Sequence, residues 1–101
     1  MRGTALNGLF NKITPAQELE IVELEENIHR ADFDKLIADA VANEEFRLAI
    51  RLYLLYSLKM LSEAEFIAWE PQKTNSAYYA EISDEVIRAD FRQLTRIYEY
   101  T

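Results

Sequence analysis

Between positions 46 and 61 the sequence reads Phe-Arg-Leu-Ala-Ile-Arg-Leu-Tyr-Leu-Leu-Tyr-Ser-Leu-Lys-Met-Leu. The spacing predicts one long helix over 44–65. Its first two turns are amphipathic, with Glu44, Arg47 and Arg51 on one side. Further on, Leu52, Tyr53, Leu54, Leu55, Tyr56, Leu58 and Leu61 point in nearly every direction around the axis. A helix that is apolar all round has to be enclosed by other elements. The rest of the chain must therefore wrap around this segment.

What can do the wrapping is limited by composition. The chain has 101 residues, two glycines and two prolines. That length fits one domain, and tight-turned β folds draw more heavily on Gly and Pro. An all-α fold follows, a compact bundle of four or five helices around 44–65. Residues 32–42 form the clearest companion: Phe33, Leu36, Ile37, Ala40 and Val41 make a single apolar stripe, and Asp32 is placed to cap it. Asn43 can end that helix and cap the next. The pair 32–42 and 44–65 has the look of one helical hairpin of a tetratricopeptide-like solenoid, without the repeats an array needs.

After the long helix, Pro71 interrupts any helical run through 66–74. Thr74 is placed to cap a short helix to about residue 82. Ser83 is placed to cap a last helix, with Asp84 and Glu85 in its first turn and Ile87, Phe91, Leu94 and Tyr98 as its buried stripe. The N-terminal part is harder to read. Thr14 can cap a short helix at Pro15. Within 16–30, Leu19 and Ile21 alternate as in a strand, while Leu24 and Ile28 are spaced as in a helix. The expectation is a flexible or irregular acidic segment over 1–30, including a tether at 1–13, and a helical domain over 31–101.

The formal net charge is −7, and Glu18, Glu20, Glu23, Glu25 and Glu26 concentrate it early. An acidic chain repels phosphate backbones, so nucleic acid is not an expected partner. The acidic block reads as a solvated segment, or as an arm for a basic partner. With no cysteine, disulfides and thiolate chemistry are excluded. The longest uncharged apolar run, 52–58, is far short of the roughly 20 residues of a membrane span.

Two side-chain groups stand out. Arg47 and Arg51 share a helix face, where two guanidinium forks can clamp a phosphate or carboxylate. The plainer alternative is ion pairing with Glu44, Asp39 or acids of the last helix. Trp69, Lys73, Thr74, Asn75 and Tyr78 form a polar-aromatic loop that can read a peptide or a small polar group. Alternatively, Trp69 plugs the bundle end, Thr74 caps a helix and Asn75 ties the loop. The candidate interaction or anion site is thus Arg47, Arg51, Trp69, Lys73, Asn75 and Tyr78. Tyr79 and Tyr100 are further contact candidates. His29 is the sole histidine, so a Ser-His-Asp arrangement is weak. Glu63, Glu65 and Glu70 match no calcium-loop spacing. No catalytic set, cofactor or metal is expected.

The segments Arg47-Leu-Ala-Ile-Arg-Leu, Leu55-Tyr-Ser-Leu-Lys, Ile67-Ala-Trp-Glu-Pro-Gln-Lys-Thr-Asn-Ser-Ala-Tyr and Phe91-Arg-Gln-Leu-Thr-Arg-Ile-Tyr resemble a bacterial domain of unknown function. That domain lies at the C-terminus of membrane-anchored proteins, some of them transglutaminase-like. The resemblance covers about residues 30–101, and the acidic lead-in before Ile28-His-Arg-Ala-Asp-Phe-Asp is similar to Bacteroidetes-type versions. It implies a soluble piece of a longer protein, tethered at the cytoplasmic face of the inner membrane. The family pattern also continues into an aromatic-glycine end that this sequence lacks. The resemblance implies no activity. The leading expectation is a non-enzymatic protein-interaction or regulatory module. The alternatives are a regulatory domain for a small anionic ligand and a purely structural spacer.

Overall fold

The computed structural model describes residues 13–100. The expected tether at the N-terminus falls almost wholly outside them. The described residues form five helices: α1 (Pro15–Glu26), α2 (Phe33–Ala42), α3 (Phe46–Glu63), α4 (Asn75–Glu81) and α5 (Glu85–Glu99). The all-α expectation holds. The hairpin of α2 and α3 is the most extensive packing, and α1 and α5 also lie against α3 while α4 rests on α5.

The centre is where the apolar run places it. Leu52, Leu54, Leu55 and Leu58 of α3 are all buried. Around them lie Ile21 of α1, Ile28 after it, Phe33 and Ala40 of α2, Ile67 of the connector, Tyr78 of α4 and Phe91 of α5. The enclosure is incomplete, because Tyr53 is 52% exposed and Met60 54%. One strip of α3 faces outward.

The N-terminal segment corrects the sequence reading. Residues 15–26 are helical, and only 27–30 form a turn. Thr14 accepts a hydrogen bond from the Gln17 amide at 3.2 Å, and Gln17 Oε1 accepts from the Thr14 amide at 2.9 Å. This capping box, with Pro15 at the first helical position, starts α1. Ile21 and Ile28 belong to the core, so the helical unit begins before residue 31. Leu19 and Val22 point outward, which blurs the period that would have announced the helix.

Two caps also differ from expectation. Asn43 ends α2 but does not cap α3, whose N-cap is Glu45 with no side-chain cap bond. The Glu45 carboxylate instead accepts from Gln17 Nε2 and ties α1 to α3. Asp84, not Ser83, caps α5, accepting from the amides of Val86 and Ile87 at 3.0 Å each.

Helices α2 and α3 both stop in the same way. Glu45 N–H donates to Ala40 O at 2.8 Å and Glu44 N–H to Val41 O at 3.0 Å; Phe66 N–H donates to Leu61 O at 2.9 Å and Glu65 N–H to Ser62 O at 3.0 Å. These are Schellman motifs, whose left-handed position normally takes glycine. Here Glu44 (φ 58°) and Glu65 (φ 66°) occupy it. A side chain with a Cβ is strained there. Glu65→Gly is therefore expected to stabilise the fold by about 0.5–1 kcal/mol, the relief of strain exceeding glycine's entropic cost. A higher urea midpoint is the readout.

Candidate functional site

The structure does not gather the six candidate residues into one site. It distributes them over three places.

The first is the connector between α3 and α4. Trp69 stacks on Tyr78 with ring centroids 5.7 Å apart and planes 3° from parallel. The indole Nε1–H donates to the backbone oxygen of Glu25 at 3.1 Å, fixing the connector to α1. Tyr78 is buried, and its hydroxyl donates to Glu70 O at 2.7 Å while accepting from Glu70 N–H at 3.1 Å. This clamp holds the turn through Pro71. Burial pushes the Tyr78 hydroxyl above the ordinary tyrosine range, so it stays protonated as a donor. Removing it leaves two backbone groups unpaired at once. Tyr78→Phe is expected to cost about 1–3 kcal/mol, readable in chemical denaturation.

Lys73 lies over the Tyr78 ring, 5.1 Å from its centroid. Its side chain is 18% exposed. The ammonium donates to Ala68 O at 2.9 Å, pairs with Glu81, and pairs with Glu70 at 3.5 Å. An ammonium has three donors, and all three are engaged. Glu81 also accepts from the Ala68 amide at 2.8 Å. Trp69 and Lys73 of the connector and Tyr78 of α4 are thus occupied in holding one another, and Thr74 caps α4 as expected, accepting from Ala77 N–H at 3.1 Å.

The Lys73–Glu81 pair has a pH signature. Hydrogen bonding to Lys73, then to the Ala68 amide, holds the Glu81 carboxyl below the usual range. Its contribution is present above the unfolded-state carboxyl value and is lost as pH falls through the lower folded value. Hydrogen bonding to Glu81 raises the Lys73 ammonium above its ordinary value of 10.5. That contribution is present below the ordinary value and is lost as pH rises through the higher folded one. Glu81→Gln is expected to lower the melting temperature at neutral pH, with the difference shrinking in acid. Thermal melts across the acid range check it.

The second place joins α1, α3 and α5. Arg51 donates to the Tyr98 hydroxyl at 2.5 Å, stacks 5.3 Å from its ring centroid, and faces Glu18 at 3.8 Å. Its carboxylate partner is Glu18 on α1, not Glu44, Asp39 or an acid of the last helix. Arg47 Nε is buried with no hydrogen-bond partner among the described residues. Beside this cluster, burial raises the Glu25 carboxyl above its usual range. The Arg51 charge opposes that rise and Glu18 adds to it.

The third place was not read from the sequence. Asn75 lines a cleft between α4 and α5 with Ser76, Tyr79, Arg92, Thr95, Arg96 and Glu99, of about 280 Å³. A wider cleft of about 540 Å³ continues along α5 past Tyr79, Arg88, Arg92 and Arg96 to Glu85. The Tyr79 ring is flanked by Arg88 and Arg92, each guanidinium carbon 5.5 Å from its centroid. Arg92 also reaches the Tyr79 hydroxyl at 3.5 Å. Arg88, Arg92 and Arg96 make no ion pair among the described residues, where the pairs involve His29, Lys35, Arg51 and Lys73. The available signal was the four-residue spacing of these arginines. Tyr79, expected as a contact residue, is half-buried here, and Tyr100 is 88% exposed.

His29 Nδ1 meets Glu63 Oε2 at 3.2 Å on the surface. Among the described residues no group of three or more His, Cys, Asp or Glu is arranged to hold a metal ion, and no helix is long and apolar enough to cross a membrane. Comparison with family models, with curated proteins and with solved structures finds no match to this chain.

Proposed function

We propose that the chain is a non-enzymatic interaction module that docks an acidic segment of a partner protein on its α4–α5 face. The observation that carries this reading is the row of Arg88, Arg92 and Arg96 along an outer face of α5, without ion-pair partners among the described residues. In a chain of net charge −7, three adjacent guanidinium groups without a carboxylate partner among the described residues form a local cationic strip. Arginine forks recognise carboxylates in fixed geometry. At physiological salt, charges more than about 8 Å away are largely screened, so a docked segment responds chiefly to the arginines of the strip and to Glu85 and Glu99 that border its clefts. The clefts beside Tyr79 add an amphipathic aromatic wall of the kind enriched at interfaces. The resemblance read from the sequence supports placing the module beside a membrane tether, at its cytoplasmic face.

The test uses a labelled acidic peptide and its basic counterpart in fluorescence anisotropy. The acidic peptide is expected to bind with salt-sensitive affinity. The triple variant Arg88→Gln, Arg92→Gln, Arg96→Gln is expected to lose about tenfold or more in affinity while keeping its circular dichroism. Equal binding by the variant, or a preference for the basic peptide, overturns the proposal. A spacer domain predicts no binding of either peptide.

A further inference from the structure

We infer that the cleft between α4 and α5 anchors a phosphorylated side chain of that acidic segment. The inference rests on the docking reading and adds the chemistry of its central contact.

The cleft holds more hydrogen-bond donors than a carboxylate can use. Arg92 and Arg96 stand one turn apart on the wall from α5, each with a planar fork. The α4 wall contributes Asn75 and Ser76, whose side chains make no hydrogen bond among the described residues. The Tyr79 hydroxyl accepts from Arg92 and keeps its own hydrogen to donate. Thr95 differs, since its hydroxyl already donates to Arg92 O at 2.9 Å. Two forks, a hydroxyl, a phenol and an amide therefore belong to residues lining one small cleft. A carboxylate offers two oxygens in a plane. A phosphomonoester offers three oxygens in a tetrahedral array and nearly two negative charges. The second can engage donors supplied by two different helices.

The ends of the strip set its length. Glu99 borders the cleft at one end and Glu85 borders the adjoining cleft at the other. Between Arg88 and Arg96 the axis of α5 advances about 12 Å at 1.5 Å per residue. A single phosphoryl group with flanking acids fits that interval. A polyphosphate or nucleic-acid strand running past it meets a carboxylate at either end. The carboxylates thus select a short anionic feature over a long one.

The experiment titrates the protein with three forms of one acidic peptide carrying serine, phosphoserine or glutamate at its centre. Phosphoserine is expected to bind about tenfold tighter than serine, as a few charge-assisted hydrogen bonds imply, with glutamate much nearer to serine. Arg92→Gln and Arg96→Gln should each remove most of the phosphoserine advantage. Arg88→Gln should weaken all three peptides alike. Glu99→Gln should tighten phosphoserine binding. Melting curves confirm that each variant is folded. Phosphoserine binding no better than serine overturns the anchor while leaving the docking reading intact. Failure of all three peptides to bind overturns both. Inorganic phosphate binding as tightly as the phosphopeptide overturns the assignment to a protein side chain and makes a free anion the ligand.

Discussion

Leu58→Ala is expected to destabilise the domain by about 2–5 kcal/mol, the range for truncating a buried leucine. Leu58 is 4% exposed in the middle of α3, among Leu54, Leu55 and side chains contributed by its neighbours. Truncation loses the transfer free energy of the removed carbons and leaves a void that packed helices fill only partly. Small domains have about 5–15 kcal/mol in all, so the variant loses a large share of its stability. Its melting temperature should fall by at least about 8 °C, at roughly 4 °C or more per kcal/mol for a chain of this size. The control is Tyr53→Ala on the same helix, 52% exposed, which should change stability far less. Equal losses at the two positions would mean that α3 is not enclosed in the way described.

Ile21→Ala is the second large effect, again about 2–5 kcal/mol. Ile21 is 1% exposed and lies in the same apolar cluster as Ile28 and the α3 leucines. If the acidic segment were a solvated arm, this substitution would be nearly neutral. In the structure it removes the contact through which α1 closes over α3. Urea unfolding gives the number directly, and Leu19→Ala on the outward side of the same helix is the matched control. Leu19 is 63% exposed, and surface substitutions of this kind usually stay within about 0.5 kcal/mol. A large loss at Ile21 with little at Leu19 identifies α1 as part of the core.

The contrast between α1 and α3 shows what made elements legible. In α3, apolar side chains are so dense that any reading of their period leads to burial. In α1, Leu19 and Val22 face outward while Ile21 and Leu24 face inward, between glutamates on both sides. No single stripe survives, and the charge block imitates a solvated arm. The caps follow the same logic. Thr14 and Thr74 cap as their local sequence implies. Asn43 does not cap α3 because Glu44 is turned into the left-handed region by the end of α2. That moves the start of α3 beyond reach of the Asn43 side chain.

The candidate site divides similarly. Trp69, Lys73 and Tyr78, grouped from the sequence as one polar-aromatic set, make their contacts with the chain itself. Arg51 was expected to have an acidic partner and has one, on the helix that was not foreseen. The spacing of Arg88, Arg92 and Arg96 was visible in the letters. Their surroundings were not, since Tyr79 reaches Arg88 and Arg92 only after α4 folds back against α5.

By itself the amino-acid order determined the all-helical class, the central place of α3 and the break at Pro71, because those follow from side-chain period and from a missing amide within one segment. Tertiary structure alone decided that α1 joins the core, that Lys73 is engaged by its own connector and by Glu81 of α4, and that the α5 arginines make no ion pair among the described residues. Each of these depends on which charges and rings from distant segments come within a few ångströms, and a local pattern carries no term for that.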